Sequence, residues 1–311
     1  MDTLKIFSGR ANQELSENIA KKLNVELGKV TLKNFADQEI YAQIQENVRG
    51  KDVFIIQPTC NPANYNLMEL LIMTDALKRS SAKRITLVMP YFGYARQDRK
   101  DRPHVPITSK LVANLLVAAG ANRILTMDLH ADQIQGFFDI PVDHLFSASA
   151  FIKYLETFKG IKDYIIVSPD AGAILRARFL AKHLDAEIAI IDKRRTDSNI
   201  SEVMHIIGDV KNKHVIIVDD IVDTAGTLCN AAKALQDNGA KDVYACITHP
   251  VLSGDAYEKI ENSVIKELIT TDTIPLKKKS KKLRVISVGK LFAEAIYHIH
   301  IEKSLGELFL E

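Results

Sequence analysis

Short apolar runs alternate along this chain with stretches whose apolar residues recur at helical spacing. The runs Leu4–Phe7, Val53–Ile56, Arg84–Met89, Arg123–Met127, Tyr164–Val167, Glu187–Ile191, His214–Val218, Asp242–Thr248, Ile265–Thr270 and Leu283–Ser287 read as strands. They are rich in Ile and Val and mostly do not alternate with polar residues, the pattern of strands covered on both faces, as in parallel sheets. Between them, Asn12–Leu23, Tyr65–Ser80, Ile107–Ala119, Ala148–Phe158, Ile174–His183 and Thr227–Asn238 read as helices. In the second of these, Leu67, Leu70, Leu71, Met73 and Leu77 form one apolar face. Strand–helix alternation of this kind predicts an α/β fold with mainly parallel sheets flanked by helices.

The chain has 311 residues, a length that suits two domains. Each half carries a strand that runs into a polar or acidic loop and then a helix, through Pro90–Tyr94 in the first and Val218–Asp220 in the second. We therefore expect two similar domains, residues 1–146 and 147–311, with the last residues packing back on the first. Net charge is +2, from 41 Lys and Arg against 39 Asp and Glu, which argues against a dedicated nucleic-acid binder. The lysines between Lys277 and Lys282 read as a solvated loop. Cys60, Cys229 and Cys246 lack metal-ligand spacing and read as free thiols of a reduced compartment. The start of the chain lacks the basic and apolar regions of a signal peptide, and no apolar run is long enough to span a bilayer. A cytoplasmic protein with no membrane or nucleic-acid partner is the expectation.

Several loops carry candidate chemistry. In Val218–Thr227 an apolar strand meets Asp219 and Asp220, followed by Asp223, Thr224, Ala225, Gly226 and Thr227 at the start of a helix. Small residues let backbone amides approach a phosphate, a helix N-terminus favours the anion, and paired carboxylates suit a ribose diol or a metal on it. An ordinary strand–turn–helix would need only one capping Asp. No GxxxxGK[ST] loop occurs. In Asp128–Asp143 a strand end is followed by His130 between two carboxylates, which suits a hard metal, although a lone histidine is more often structural. Asp170, Ala171, Gly172 and Ala173 join a strand to a helix; the plain alternative is that Asp170 caps that helix. Lys193, Arg194 and Arg195 follow a strand and could stabilise a transferring phosphoryl group, or form a solvated basic turn. The charged segment from Arg96 to Arg102, in the loop 94–106, has little apolar surface and should be mobile. Phe35, Asp37 and Glu39 set an aromatic face beside carboxylates, although Phe35 would as often be core.

The Asp219–Thr227 stretch resembles the phosphoribosyl-diphosphate loop of type I phosphoribosyltransferases and ribose-phosphate pyrophosphokinases. The stretch Asp128–Asp143 resembles the signature of the pyrophosphokinases, of the phosphate-activated class, and the likeness extends over essentially the whole chain. The resemblance implies two type I phosphoribosyltransferase-like domains, an ATP side and a ribose 5-phosphate side. It implies a Mg²⁺-dependent transfer of diphosphate from ATP to the C1 hydroxyl of ribose 5-phosphate in a homo-oligomer, a hexamer. His130 and Asp170 would hold Mg²⁺, and Lys193 and Arg195 would be the catalytic cations. Arg96 and Gln97 would contact ATP from a closing loop, with Phe35, Asp37 and Glu39 holding adenine from a neighbouring subunit. Residues 170–173 would cradle the diphosphate, and Asp219, Asp220 and Asp223 to Thr227 would hold ribose 5-phosphate. Where the family commonly has Ser, Arg and Ser at a phosphate- or ADP-binding regulatory site, this chain has Asn47, His104 and Gly306. Weaker phosphate activation is therefore expected. A phosphoribosyltransferase, a catalytically silent associated subunit and a PRPP-binding transcription regulator are the alternatives.

Overall fold

The computed structural model describes residues 3–158, 164–194 and 203–308. The chain divides into two compact units. The first comprises residues 1–146, 273–275 and 287–311; the second comprises 147–272 and 276–286.

In the first unit the elements are β1 (Leu4–Ser8), α1 (Gln13–Leu23), β2 (Val30–Asn34), β3 (Ile40–Ile44), β4 (Asp52–Ile56), α2 (Ala63–Arg79), β5 (Arg84–Met89), α3 (Thr108–Ala119), β6 (Arg123–Met127) and β7 (Val142–Leu145). Strands β1-β4-β5-β6-β7 form one sheet in that order, all parallel. Every residue of β4 is buried: Val53–Ile56 form an unbroken apolar run, and Asp52 is paired with Arg84. Helix α1 starts where the Asn12 side chain accepts the Leu15 amide and stops where Asn24 turns left-handed, so both ends are capped by residues that favour those conformations. Strands β2 and β3 form a separate antiparallel hairpin. Their inner residues Val30, Leu32, Ala42 and Ile44 pack on the core built around Phe7, Val53, Ile55 and Leu70.

In the second unit the elements are α4 (Ala148–Leu155), β8 (Tyr164–Ser168), α5 (Ile174–Leu184), β9 (Glu187–Arg194), β10 (Val203–Ile207), β11 (His214–Val222), α6 (Gly226–Asp237), β12 (Asp242–Pro250), α7 (Ala256–Asn262), β13 (Ile265–Thr271) and β14 (Leu283–Ile286). The sheet order is β10-β9-β8-β11-β12-β13-β14. Only the β9–β10 pair is antiparallel. Apolar cores lie on both faces, one around Val167, Ile217 and Ala245, the other around Ile166, Ile216 and Cys246.

The chain then re-enters the first unit as α8 (Gly289–His300), which packs along α1. An ionic clamp holds it there. Asp52 accepts from Arg84 Nε at 2.8 Å and Nη2 at 2.6 Å and meets His300 Nδ1 at 2.8 Å, while Arg84 also donates to the Ile299 carbonyl at 2.9 Å. Each of the ten strands read from sequence has a counterpart, and β2, β3, β7, β10, α7 and α8 add to them.

Candidate active site

In the second unit β8 and β11 lie side by side in parallel. Helix α5 carries the chain from β8 outward to β9, whereas α6 carries it from β11 outward to β12. Where successive connections part in this way, an open α/β sheet leaves a crevice at the carboxyl ends of the two strands, and ligands bind there. The loops that follow β8 and β11 are the ones carrying Asp170–Ala173 and Asp223–Thr227.

Asp219 and Asp220 are strand residues, because β11 runs on to Val222, past its expected end at Val218. Strand β11 pairs with β8 only as far as Ile217, but with β12 as far as Val222, so it continues past the end of β8. The two carboxylates therefore sit on the stretch of β11 that β8 no longer covers. Asp220 is 5% exposed, and Asp219 Oδ1 accepts the Asp220 amide at 2.9 Å. Burial, then the neighbouring Asp220 charge and hydrogen bond, with a further contribution from Asp170, push the Asp219 carboxyl up to about 8. Two carboxylates this close hold one proton between them at neutral pH. Arg176 Nη1, on the first turn of α5, stands 3.9 Å from Asp220 Oδ1. Sequence reasoning missed this cation. Its signal was a basic residue in register with the buried helix positions Ala177 and Leu180.

Asp170 does cap its loop. Its Oδ1 accepts the amides of Gly172 at 2.9 Å and Ala173 at 3.2 Å, and Ser168 Oγ donates to the Asp170 carbonyl at 2.7 Å. Ala171 and Gly172 are exposed and Ala173 is buried. After β11, Ala225 adopts a left-handed conformation, φ 60°, and leads into α6 with no side-chain cap on its first turn. The backbone amides at that helix start are thus left for an anion. Thr224 and Thr227 are exposed beside them. The Ser253 amide donates to the Asp223 carbonyl at 3.0 Å and anchors the loop from below. Lys193 lies within β9, opposite Met204 of β10, so this strand also outruns its expected end at Ile191. Arg195 lies outside the described residues.

In the first unit the five strands of the main sheet are all parallel, so the loops after β1, β4, β5 and β6 share one edge. After β5, Gly93 donates its amide to Thr59 Oγ1 at 2.7 Å; a Cβ there would come within 2.3 Å of the Thr59 carbonyl, so only glycine fits. Gln97 is anchored: Thr108 Oγ1 donates to its Oε1 at 2.6 Å, and the Ser109 amide donates to its carbonyl at 3.2 Å. Arg96 and the stretch from Arg99 to His104 are exposed. After β6, Asp128 is 3% exposed with φ 38°, and His130 is exposed. Gln133 Nε2 donates to Asp98 Oδ2 at 3.0 Å, which ties the Arg96 loop to the turn after His130. At the hairpin tip Phe35 is 49% exposed and edge-on to Tyr41, centroids 5.8 Å apart, so it is not a core residue. Asp37 Oδ1 accepts the Glu39 amide at 3.1 Å, which shapes that tip. A cleft of about 430 Å³ at the opposite, N-terminal strand ends is lined by Arg84, Arg123 and Lys303, but these cations are paired with Asp52, Asp143 and Glu307.

Among the described residues no three His, Cys, Asp or Glu side chains gather into a metal cage. The oxygen donors present fit Mg²⁺, which typically takes one or two carboxylates and fills its shell with water and substrate phosphate. Cys60 and Cys246 are buried, and burial raises the Cys229 and Cys246 thiols, so neither of these two is primed as a nucleophile.

Comparison with known proteins decides the family. The N-terminal domain of ribose phosphate pyrophosphokinase matches residues 4–120, and the phosphoribosyl synthetase-associated domain matches residues 195–310. The ribose-phosphate pyrophosphokinase of Campylobacter jejuni is 58% identical over 306 residues, covering 98% of this chain and 99% of its own. The chain belongs to the ribose-phosphate pyrophosphokinase family. The family's Corynebacterium ammoniagenes member is likewise 58% identical, over 98% of this chain and 97% of its own. The crystal structure of phosphoribosylpyrophosphate synthetase from Mycobacterium smegmatis superimposes with a TM-score of 0.92 at 42% identity, covering 96% of this chain and 99% of that one. The expected α/β fold of two phosphoribosyltransferase-like domains is therefore the fold of a ribose-phosphate pyrophosphokinase. The chain is an enzyme, and the readings as a phosphoribosyltransferase, a silent subunit or a transcription regulator give way. No helix among the described residues is long and apolar enough to cross a membrane.

Proposed function

We propose that this chain transfers the β,γ-diphosphate of MgATP to the C1 hydroxyl of ribose 5-phosphate, giving PRPP and AMP for nucleotide biosynthesis. The observation that carries the reading is the crevice between β8 and β11, flanked by an acidic strand end and an uncapped helix start, in a chain that matches pyrophosphokinases over nearly its full length.

The chemistry is positioning and charge neutralisation. Asp223 to Thr227 hold the 5-phosphate through backbone amides and the Thr224 and Thr227 hydroxyls. Asp219 and Asp220 hold the ribose hydroxyls, and the proton they share leaves when those oxygens engage a ligand. The amides of residues 171–173 cradle the diphosphate, those of Gly172 and Ala173 being the ones Asp170 now accepts. Lys193 and Arg195 stabilise charge on the moving diphosphate. Phe35 stacks on adenine with Asp37 and Glu39 beside it, across a contact with a second copy in a homo-oligomer, a hexamer. Arg96 and Gln97 hold the nucleotide as the 94–106 loop closes and excludes water, which would otherwise compete with the sugar hydroxyl. His130 and Asp170 would hold Mg²⁺, which would supply neutralisation of the phosphate charge. The protein works in the cytoplasm.

The test is incubation with MgATP and ribose 5-phosphate without a nucleobase, while phosphate is titrated from zero. AMP and PRPP in equal amounts are expected, with a shallow phosphate response. Asn47 spends its side chain on the Arg49 amide, 3.0 Å away, and Gly306 offers no hydroxyl. A serine would fit at Gly306, where a Cβ meets only Ser304 Oγ at 3.4 Å. No AMP from a folded oligomer would refute the enzyme reading, and a steep phosphate response would refute the regulatory one.

A further inference from the structure

The turn that presents His130 is held from behind by a second histidine. Strand β6 ends at Met127; Asp128 then takes a left-handed conformation, φ 38°, and donates its amide to the Leu145 carbonyl at 3.0 Å. The next amide, that of Leu129, has no strand partner at this bend. It donates to His144 Nε2 at 2.8 Å, in a buried setting. His144 lies in β7, the neighbour of β6, and is 6% exposed. A nitrogen that accepts a hydrogen bond carries no proton, so the His144 proton sits on Nδ1. That edge faces Asp132 Oδ1 at 3.8 Å, while Gln135 Nε2, itself a donor 3.3 Å away, gives its hydrogen bond to the Asp132 carbonyl. The ring also lies against Phe146, centroids 4.6 Å apart. One imidazole thus holds the backbone entry to His130 through Leu129 and stands beside Asp132 on its exit.

We propose that His144 is a positioning residue for nucleotide and metal binding, fixing the Asp128–Asp132 turn so that His130 meets the Mg²⁺ of MgATP. The inference rests on the reading of His130 given above. A buried amide that loses its acceptor pulls the turn toward another partner. Residues that orient metal-binding groups from behind typically change affinity about 10- to 100-fold when removed.

Three variants decide it. His144→Gln can place its Oε1 where Nε2 stands and keep an acceptor for Leu129. His144→Asn has its oxygen nearer the Nδ1 position and cannot reach. His144→Leu keeps the volume and has no acceptor. Binding of a non-hydrolysable ATP analogue is measured by calorimetry across a Mg²⁺ titration, and Leu129 amide exchange is followed by NMR without metal. The expected result is Mg²⁺-dependent binding weakened about 10-fold or more in the Asn and Leu variants, and within about 2-fold of the parent in the Gln variant. Leu129 exchange should be fast only where binding is weak, and ribose 5-phosphate binding should not change. Imidazole ¹⁵N shifts should show an unprotonated Nε2 in the parent protein. Equal binding by Gln and Asn variants would overturn the proposal, and this comparison stands even if the Leu variant fails to fold. His130→Ala is the reference. If it abolishes binding while His144→Asn does not, the His144 role falls and the His130 reading survives; if it binds normally, both fall.

Discussion

The paired aspartates of β11 make the metal-free protein less stable as pH rises. In the unfolded chain an aspartate gives up its proton near its ordinary value of about 3.9. In the fold, burial and the Asp220 charge hold the Asp219 carboxyl protonated up to about 8. Between about pH 4 and 8 the native state therefore binds a proton that the unfolded state has released. Stability contributed below that window is lost progressively across it, by up to about 1.4 kcal/mol per pH unit for a group shielded from solvent. Part of the Asp219 side chain meets water, so roughly 1 kcal/mol per unit is expected, or about 2 kcal/mol from pH 5.5 to 7.5. For a unit of this size that is a fall in melting temperature of roughly 6 °C. Asp219→Asn keeps the shape, removes the titration and leaves Asp220 to Arg176. The assay is thermal unfolding of parent and variant in EDTA at pH 5.5, 6.5 and 7.5. The variant should gain on the parent by roughly 6 °C between pH 5.5 and pH 7.5. Other titrating groups cancel in the difference. Parallel curves would refute the claim that this pair carries a proton at neutral pH.

Three further outcomes are expected. Phe35→Ala should leave the melting temperature unchanged, since the ring is half exposed, yet raise KM for ATP; the loss of one base-stacking contact is worth about 1–3 kcal/mol, and an unchanged KM would remove Phe35 from the adenine site. Ala225→Val forces a branched side chain into a left-handed conformation; ribose 5-phosphate binding should weaken at least about 10-fold by calorimetry, because distortion costs about 1–3 kcal/mol at the phosphate loop. Asp52→Asn leaves Arg84 and His300 without their shared carboxylate, which costs about 3 kcal/mol; hydrogen exchange should rise across residues 289–300, and unchanged exchange there would show that apolar packing alone docks α8.

Much of the fold was written in local pattern. Strands buried on both faces need continuous apolar sequence, and each of those runs became a strand. The elements that escaped notice lack that requirement. Strands β2 and β3 are half-exposed along their length, so their polar residues blur the pattern. Strand β7 is four residues long and spends two of them on Asp143 and His144, which bond to neighbours and not to water alone. Strands β9 and β11 outran their apolar stretches because β10 and β12 keep pairing with them, and main-chain pairing is indifferent to a charged side chain.

The candidate site divides along the same line. Residue type and spacing along the chain determined which segments could meet phosphate, sugar or metal: small residues before a helix, paired carboxylates at a strand end, a histidine among acids. Those properties belong to a few consecutive residues, so a linear reading reaches them. Tertiary structure alone decided that the loops after β8 and β11 flank one crevice, that Arg176 faces Asp220, and that His144 supports the turn before His130. Each of these depends on which strands pair across the sheet. That order is set by the packing of whole faces, and no short stretch of sequence contains it.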